Sequence, residues 1–347
     1  MSNNKIEYLF RDNMGKKVKE IKEQYPNIKF YSYSRLGTFH QCKRSYYYTY
    51  VDKKPQRNNV YSILGEVCHK SLEDLYNGKV DELDRVPFET EFAKCQMFGI
   101  DFPASKYDIA GSYKADIENF YNIYKKKDGK DFISELGFIY ILDSKHALMG
   151  YIDLLIYDKD TNSCEIIDFK TSSEFKKDHL LEKGRQLVLY KVAIEQLYGI
   201  KVDKVYWQML KLVDVTVGTY KPKIKLKGKE WVSKCSLQIT NLMKKKGYDD
   251  LEATLSVAKA VKSNSIDGLP QDIKDEITVN IRDEVYEVTP ELEEELINYI
   301  KDTIEQIENM GSDIEEWTPN VDKFYGTNLC GFGGCNGICQ ECNKGDE

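Results

Sequence analysis

The fold is decided by residues 150–170, which read GYIDLLIYDKDTNSCEIIDFK. Two runs rich in apolar residues flank the polar stretch DKDTNS, and this pattern predicts a β-hairpin. A turn centred between Asp160 and Thr161 sets Asp153 directly opposite Asp168, with their Cβ atoms about 4.5–5.5 Å apart. Lys170 shares the face of Asp168, roughly 6.5–7 Å further along the strand. The hairpin therefore predicts two carboxylates and one ammonium at a single spot on a sheet.

Carboxylates at this separation repel each other unless a positive charge lies between them. A hard divalent cation with oxygen ligands is the usual solution, so the pattern predicts a Mg²⁺ or Mn²⁺ site at Asp153 and Asp168. A lysine beside such a metal can orient or help to deprotonate an attacking water, and it can neutralise charge on a phosphate. The alternative is a surface hairpin in which Lys170 simply pairs with Asp168.

The segments around the hairpin indicate a mixed α/β domain. The stretch 132–142, FISELGFIYIL, has a period of two and predicts a further antiparallel strand before the hairpin. Elsewhere the spacing of apolar residues predicts helices over 61–76 and 182–198 and strands over 202–210 and 213–220. It also predicts a helical insertion over about 79–130 and a mostly helical region over 227–310. One helix of that last region is predicted to begin at Thr289-Pro290.

Side chains on the two predicted helices extend the site. His69 follows Gly65 by four residues, and a glycine one turn earlier would let that helix approach the sheet closely enough to present the imidazole to a metal. Gln186 and Tyr190 are also four residues apart and share one helix face. The alternatives are a structural or solvated histidine, and packing of the Gln186 and Tyr190 face against the sheet.

In order along the chain, these residues resemble the motifs of the RecB-type branch of the PD-(D/E)xK nuclease superfamily. The segment 34–46 resembles the opening helix of those proteins, through Ser34-Arg35-Leu36, Phe39, Cys42, Lys43-Arg44 and Tyr46. The resemblance covers about residues 31–210, and it rests on Gly65-x-x-x-His69, Gly150-x-x-Asp153, Ile167-Asp168-Phe169-Lys170-Thr171 and Gln186-x-x-x-Tyr190.

This resemblance implies a restriction-endonuclease-like core, an α/β fold with a mixed central sheet flanked by helices. We expect that core over 31–221, with the helical insertion at about 79–130 inside it. An N-terminal extension at 1–30 would precede the core. A mostly helical region at 222–317 and a Cys-rich metal-binding tail at 318–347 would follow it.

The resemblance also implies a role for each site residue. The catalytic metal would be held by His69, Asp153 and Asp168 together with the backbone carbonyl of Phe169. Lys170 would position or activate the attacking water. Gln186 and Tyr190 would support the site and contact the nucleic-acid strand.

The nine cysteines are unevenly spread, and four crowd into the tail as Cys330-x4-Cys335-x3-Cys339-x2-Cys342. This density is typical of a metal site in a reducing compartment. One solution is Zn²⁺ in a self-contained knuckle. The resemblance implies another, because in AddB-like and CRISPR-adaptation nucleases one cysteine before the Gly-x-x-x-His helix joins three near the C-terminus around a 4Fe-4S cluster. Cys42 stands at that position, although the tail departs from the usual C-x2-C-x5-C spacing.

Basic and aromatic residues are interleaved in the stretch 43–50, KRSYYYTY, and Lys53, Lys54 and Arg57 follow it. A single-stranded DNA groove uses cations for phosphates and rings for stacking. The alternative is an amphipathic helix whose tyrosines pack in the core. Residues 221–229, KPKIKLKGK, form a second candidate for tracking a DNA backbone. The predicted DNA contacts are Lys43, Arg44, Tyr46 and Tyr47.

The composition is that of an ordinary globular protein, with 41% hydrophobic and 31% charged residues. The net charge of −7 gives no overall electrostatic case for nucleic acid, so DNA contacts must come from local patches. No stretch approaches the ~18 consecutive apolar residues of a transmembrane helix. The first residues lack the apolar region of an export signal. We therefore expect a cytoplasmic location and no membrane contact.

The sequence thus predicts a metal-dependent DNA nuclease. An exonuclease that hydrolyses phosphodiester bonds at DNA ends or in single strands is favoured, in recombination, repair or phage DNA processing, with a helicase or recombination protein as a candidate partner. One alternative is a non-catalytic DNA-end-binding or assembly subunit on a nuclease-like scaffold. Another is a regulator built around a zinc knuckle.

Overall fold

A computed structural model describes residues 14–55, 59–129, 131–322 and 339 of the protein. Strands and helices alternate along these residues. Within these residues the strands are β1 (Lys29–Tyr31), β2 (Asp131–Ile141), β3 (His146–Asp158), β4 (Ser163–Lys170), β5 (Lys201–Val217), β6 (Leu226–Lys227) and β7 (Ile277–Val285). The helices are α1 (Met14–Gln24), α2 (Tyr33–Gln41), α3 (Lys43–Tyr46), α4 (Val60–Tyr76), α5 (Val86–Met97), α6 (Ile109–Ile123), α7 (Leu180–Tyr198), α8 (Trp231–Lys245), α9 (Asp250–Ser263), α10 (Gln271–Lys274) and α11 (Pro290–Glu308).

The described strands form one mixed seven-stranded sheet centred on β3. One edge of β3 pairs antiparallel with β2. The other edge has two neighbours. Near the start of β3 it pairs in parallel with β1, and near the end of β3 it pairs antiparallel with β4. β4 pairs parallel with β5, which in turn pairs antiparallel with β6 and β7. This mixed sheet, with helices on both faces, confirms the predicted α/β, restriction-endonuclease-like fold class.

The hairpin of β3 and β4 has the predicted register. Leu154 lies opposite Ile167, and Asp158 lies opposite Ser163 at the turn. Asn162 in the turn has a φ of 50°, a left-handed conformation that asparagine tolerates better than most residues. Continuing the register by one position sets Asp153 opposite Asp168.

Two large hydrophobic cores lie on opposite faces of the sheet. The first core packs α4, α5, α6, α8 and α9 against one face and contains Ile167. The second core packs α2, α7 and α11 against the other face and contains Ile166. Because consecutive residues of β4 enter different cores, this strand is covered on both faces, as expected for a parallel partner in an α/β sheet.

The helices that position the site have the predicted locations. α4 begins after Asn59, whose Oδ1 accepts a hydrogen bond from the Ser62 N–H at 2.9 Å. α7 ends at Gly199, which adopts a left-handed φ of 64°. α11 begins at Pro290 after Thr289. Among the helices of the described residues, none combines the length and apolarity needed to cross a bilayer.

Two strand predictions were wrong. The segments 202–210 and 213–220, predicted as separate strands, form the single strand β5. Lys211 and Leu212, which lie between them, continue the strand, and the Lys211 Nζ lies 4.9 Å from the centre of the Tyr113 ring on α6. The strand β7 was missed inside the region predicted as helical, although its residues alternate between apolar and polar in ITVNIRDEV.

Residues 14–30, predicted as an N-terminal extension, contribute to the main sheet. β1 pairs with β3, and Met14 at the start of α1 is 5% exposed. The Met14 side chain packs so close to Gly137 of β2 that any Cβ at position 137 would have to displace it. A short apolar segment thus joins the fold by pairing with a strand far away in sequence, which local patterns do not reveal.

A substitution at Gly184 tests how closely α7 packs against Tyr286. A Cβ at position 184 would overlap the Tyr286 ring, whereas a Cβ at Gly37 of α2 would meet no atom within 4 Å. We expect Gly184→Ala to lower the free energy of unfolding by about 1–3 kcal/mol because the ring must move. The control Gly37→Ala is expected to raise it by about 0.5–1 kcal/mol through its higher helix propensity. Urea unfolding of both variants measures these changes, and a neutral Gly184→Ala would contradict the close packing.

Candidate active site and metal centre

The candidate site lies where β3 changes its neighbour. β1 pairs with β3 as far as Leu148, and β4 pairs with the same edge from Leu154 onward. Between these two residues, no strand of the described chain pairs with that edge. Asp153 lies at the end of this gap, where its Oδ2 accepts a hydrogen bond from the Phe169 N–H at 2.7 Å. The gap opens the sheet to side chains from α2, α4 and α7.

The predicted metal ligands meet at this gap. The Nδ1 of His69 lies 3.5 Å from Oδ2 of Asp153. Asp168, on the neighbouring strand, is 1% exposed. A Cβ added at Gly65 would lie 3.2 Å from Oγ1 of Thr171, just after β4, so the glycine lets α4 approach the end of that strand as predicted.

Lys170 is held from two sides. Its Nζ lies 2.6 Å from Oδ2 of Asp168 as an ion pair and donates to Oε1 of Gln186 at 3.3 Å. The Nε2 of Gln186 donates to the Tyr190 hydroxyl at 2.8 Å. The two residues predicted to share a face of α7 therefore bond to each other, and the chain Asp168–Lys170–Gln186–Tyr190 is continuous.

The pKa values of the site reflect burial and these neighbouring charges. The pKa of Asp168 is raised to about 6, mainly by burial; the positive charge of Lys170 opposes this rise and the Asp153 carboxylate adds to it. Burial acts in the same direction on Asp153, but His69 outweighs it and the pKa of Asp153 is lowered. Burial disfavours the charged forms of His69 and Lys170, yet the carboxylates dominate and raise both pKa values. One carboxylate is thus ionised while the other resists ionisation.

These side chains line a cavity of about 460 Å³, which also touches residues 32–34 at the start of α2. A neighbouring cavity of about 740 Å³ shares Tyr33, Ser34, Lys170 and Gln186 with it. Each cavity falls within the size range of a typical small-molecule site. Since the two cavities share these lining residues, they adjoin between α2 and α7.

Glu135 is a site residue that the sequence interpretation missed. One ligand atom each from His69, Glu135 and Asp153 lie within 4.8 Å of one another. Glu135 lies in β2, on the opposite side of β3 from Asp168. Its signal in the sequence was a lone carboxylate inside the otherwise apolar stretch FISELGFIYIL.

The structure does not support two of the predicted DNA contacts. The Tyr46 side chain is 0% exposed and stacks on Trp317, with ring centres 5.6 Å apart. Arg44 is also buried, and its Nε donates to the backbone oxygen of Trp317 at 2.7 Å. Both side chains thus hold Trp317 against α3. This packing corresponds to the alternative in which the residues of this stretch pack in the core. Lys43 and Tyr47 are partly exposed and stay predictions as DNA contacts.

Part of the second basic stretch is engaged inside the molecule. The Nζ of Lys225 pairs with Glu174 at 2.8 Å and with Glu284 at 2.6 Å. The Nζ of Lys229 donates to the Ser112 hydroxyl at 2.6 Å. These two lysines therefore stabilise the fold, which weakens the case for a DNA-tracking stripe at 221–229. Arg57 lies outside the described residues.

The cysteine predictions are partly covered by the structure. Cys42 and Cys339 are each 2% exposed and pack in one small cluster with Tyr48. The Sγ of Cys42 accepts hydrogen bonds from the Ser45 N–H at 3.4 Å and the Asn320 N–H at 3.3 Å. The remaining predicted ligands, Cys330, Cys335 and Cys342, lie outside the described residues.

Comparison with known families agrees with this geometry. The family model of the PD-(D/E)XK nuclease superfamily matches residues 31–340. Because the match covers most of the chain, the protein belongs to the PD-(D/E)XK nuclease superfamily. Members of this superfamily are usually nucleases that act on DNA with Mg²⁺ or Mn²⁺. A search of curated proteins finds no match to the chain.

Metal binding is expected to depend on pH through Asp168. Its pKa in the fold, about 6, lies above the ordinary aspartate value. The metal-free fold therefore loses stability as the pH rises from about 3.8 to about 6, because the unfolded chain ionises Asp168 over this range before the folded chain does, and a bound cation offsets that loss. We expect excess Mn²⁺ to raise the melting temperature clearly at about pH 7.5 and hardly at about pH 5. The variant Asp168→Asn is the control and is expected to lose most of this pH dependence. An equal Mn²⁺ effect at both pH values in the unsubstituted protein would contradict the assignment.

Proposed function

We propose that the protein is a divalent-metal-dependent deoxyribonuclease of the RecB type, acting as an exonuclease on DNA ends or single strands. The observation that carries the proposal is the convergence of Asp153, Asp168 and Lys170 at the gap in the sheet. Gln186 accepts a hydrogen bond from Lys170 and donates one to Tyr190. These residues follow one another along the chain in the order that the RecB-type resemblance implies. Membership of the superfamily supports nuclease chemistry, while the branch and the exonuclease mode belong to the proposal. Recombination, repair or phage DNA processing is the proposed setting, with a helicase or recombination protein as partner.

The donor set fits Mg²⁺ or Mn²⁺. Carboxylate oxygens with one imidazole suit these ions, and a divalent cation relieves the repulsion between two closely placed carboxylates. In this proposal His69, Asp153, Asp168 and the carbonyl oxygen of Phe169 hold the metal. When bound, such an ion polarises a phosphodiester and lowers the pKa of a water ligand.

Lys170 acts as a positioned cation. Asp168 and Gln186 hold its Nζ at the wall of the cavity, at 2.6 and 3.3 Å. The carboxylates raise the pKa of Lys170, so it carries its proton at neutral pH. In this role Lys170 donates a hydrogen bond to the attacking water or to a phosphate oxygen, and it stabilises the negative charge that develops there. Tyr190 orients Gln186 and so maintains the direction of Lys170.

Two substitutions test the catalytic assignment. We expect Asp168→Asn and Lys170→Met each to reduce cleavage of DNA by at least about 100-fold, because each removes a charge that acts on the transition state. Cleavage is measured with Mn²⁺ on end-labelled linear DNA, single- and double-stranded, and on closed circular DNA. Exonuclease action predicts loss of the linear substrates and survival of the circles.

The matched control is Lys259→Met on α9, an exposed lysine whose loss should leave cleavage unchanged. Circular dichroism of each variant verifies that the chain is folded. Undiminished cleavage in both site variants would contradict the catalytic assignment. Wild-type protein that binds DNA ends but leaves them intact with either metal would favour the non-catalytic subunit instead.

The proposal includes a second metal centre that joins Cys42, just after α2, to the C-terminal tail. Cys339 of the tail packs beside Cys42, which precedes α3, so a shared ligand set is favoured over a self-contained knuckle. Backbone N–H groups directed at the Cys42 sulfur would stabilise a thiolate there. We propose a 4Fe-4S cluster held by Cys42 and three of Cys330, Cys335, Cys339 and Cys342, with Zn²⁺ as the alternative.

Anaerobic purification tests this centre. We expect brown protein with a visible absorption band and about four iron and four sulfide per chain. Cys42→Ser is expected to lose the colour and most of the iron, whereas the control Cys235→Ala, in the first core, should retain both. Colourless protein with one zinc per chain, unchanged by Cys42→Ser, would contradict the cluster and support a zinc knuckle.

A further inference from the structure

The larger cavity, between α2 and α7, is lined by aromatic rings. Tyr33, His40, Phe175 and Tyr299 contribute to its wall. Phe175 is held in place because it packs edge-on against the buried Trp207, with ring centres 4.9 Å apart. Aromatic rings of this kind are the surfaces on which proteins stack the bases of a nucleic-acid strand.

One face of α2 contributes small, uncharged side chains to the same cavity. Ser34, Gly37, Thr38 and Gln41 follow one another at helical spacing, and all four line the cavity. A Cβ added at Gly37 would meet no atom within 4 Å, so this face of the helix borders open space. A flat, uncharged molecule can therefore lie in the cavity without meeting a charged group from this face.

The charged residues that line the cavity are engaged with each other or with α11. Arg185 donates to both carboxylate oxygens of Glu295, at 3.0 and 3.1 Å. The Nζ of Lys183 lies 2.8 Å from Oε1 of Glu182. A phosphate in this cavity would compete with these carboxylates, whereas an uncharged base would not. The cavity is thus better suited to the base of a nucleotide than to its phosphate.

His40 is the exposed member of a stack of rings. Its imidazole lies 4.9 Å from the ring centre of Tyr299, with an angle of 28° between the two planes. The central carbon of the Arg185 guanidinium lies 3.9 Å from the centre of the same tyrosine ring. Arg185 and Glu295 therefore fix the ring on which His40 is stacked.

A hydrogen bond fixes the orientation of His40. Its Nε2 lies 2.7 Å from Oγ1 of Thr303, a side chain that is 0% exposed. The Thr303 hydroxyl donates its one proton to the backbone oxygen of Tyr299 at 2.6 Å, so Nε2 of His40 is the donor in the first bond. The imidazole is thus oriented before any ligand binds, which reduces the entropic cost of placing a base on it.

The cavity opens onto the proposed metal site. Tyr33, Ser34, Lys170 and Gln186 line both cavities. A strand with a phosphate beside Lys170 can therefore place a neighbouring base in the larger cavity. Bases inside a duplex are stacked on their neighbours, so only an unpaired or extruded base can lie flat on a protein ring.

We propose that the His40–Tyr299 stack is a base-binding subsite that holds one unpaired base while an adjoining phosphate lies at the metal site. This inference rests on the proposed nuclease function and defines the form of DNA that its site accepts, which is single-stranded beside the point of cleavage. His40 contacts the base, and Tyr299 positions His40. The subsite therefore includes α11, which lies outside the part of the chain that carries the RecB-type motifs.

Binding of two single strands of equal length tests the subsite. One is oligo(dT), and the other is an abasic strand that keeps the sugar-phosphate backbone and lacks every base. Fluorescence anisotropy measures both affinities in the full chain carrying Asp168→Asn, without added divalent metal, so that the strands stay intact. We expect a further substitution, His40→Gln, to weaken binding of oligo(dT) about 10-fold and to leave the affinity for the abasic strand unchanged.

Matched variants separate stacking from a structural role of His40. His40→Gln keeps a side-chain donor for Thr303 and removes the ring. His40→Phe keeps a ring and removes the donor, so we expect it to bind oligo(dT) within about 2-fold of the parent chain. Tyr299→Leu removes the ring beneath His40 and should weaken oligo(dT) as His40→Gln does. The control Tyr107→Ala removes a ring that is 71% exposed and lies outside this cavity, and it should change neither affinity.

Three results would overturn the subsite, provided that the melting temperature shows each variant to be folded. The first is an unchanged oligo(dT) affinity in His40→Gln. The second is an equal loss of affinity for both strands, and the third is a loss in His40→Phe as large as in His40→Gln. Cleavage of DNA by the wild-type chain with Mn²⁺ is measured separately. Absence of cleavage together with the expected binding results would overturn the nuclease function and keep the subsite as a single-strand-binding site.

Discussion

Asp153 and Asp168 are brought together by the pairing of β3 with β4, and the rest of the site is organised around their repulsion. Two unit charges about 4 Å apart repel by about 4 kcal/mol at an effective dielectric constant of about 20, a large fraction of the 5–15 kcal/mol that stabilises a typical domain. The hairpin register leaves no freedom to separate them. The fold therefore places a base, His69, beside one carboxylate and an ammonium, Lys170, beside the other.

Topology explains why a cavity reaches this pair of carboxylates. A strand in the middle of a sheet is normally covered along both edges, but β3 exchanges β1 for β4 and leaves an opening between them. α7 lines one side of the opening, and α11 packs against α7. Arg185 of α7 forms a bidentate ion pair with Glu295, and Lys191 donates to Glu293 at 2.7 Å. The C-terminal region, for which the sequence suggested no role, thus supports the helix that orients Lys170.

The sequence was most informative where local spacing and chemistry coincide. The turn at Asp160 and Thr161 gave the hairpin register, and the four-residue spacing of Gln186 and Tyr190 matched a real hydrogen bond. The tyrosine-rich stretch was harder, because rings that stack on DNA and rings that pack in a core have the same composition. Its outcome depended on Trp317, which lies far away in the sequence.

Long-range features account for the other differences. Glu135 joins the site only because β2 pairs with β3 in a particular register, and its left-handed φ has no signature in a single sequence. β7 completes the sheet from a region separated from β5 by three helices, so its short alternating pattern was easily outweighed by the helical segments around it. Both required the tertiary pairing to be known.

The opening in the sheet is proposed to bind a divalent cation between Asp153 and Asp168. Crystals of the protein grown with Mn²⁺, with diffraction data collected at the manganese absorption edge, test it most directly. We expect an anomalous peak within about 2.0–2.4 Å of an oxygen of each carboxylate. Well-ordered Asp153 and Asp168 side chains with no anomalous peak between them, at a saturating Mn²⁺ concentration, would contradict it.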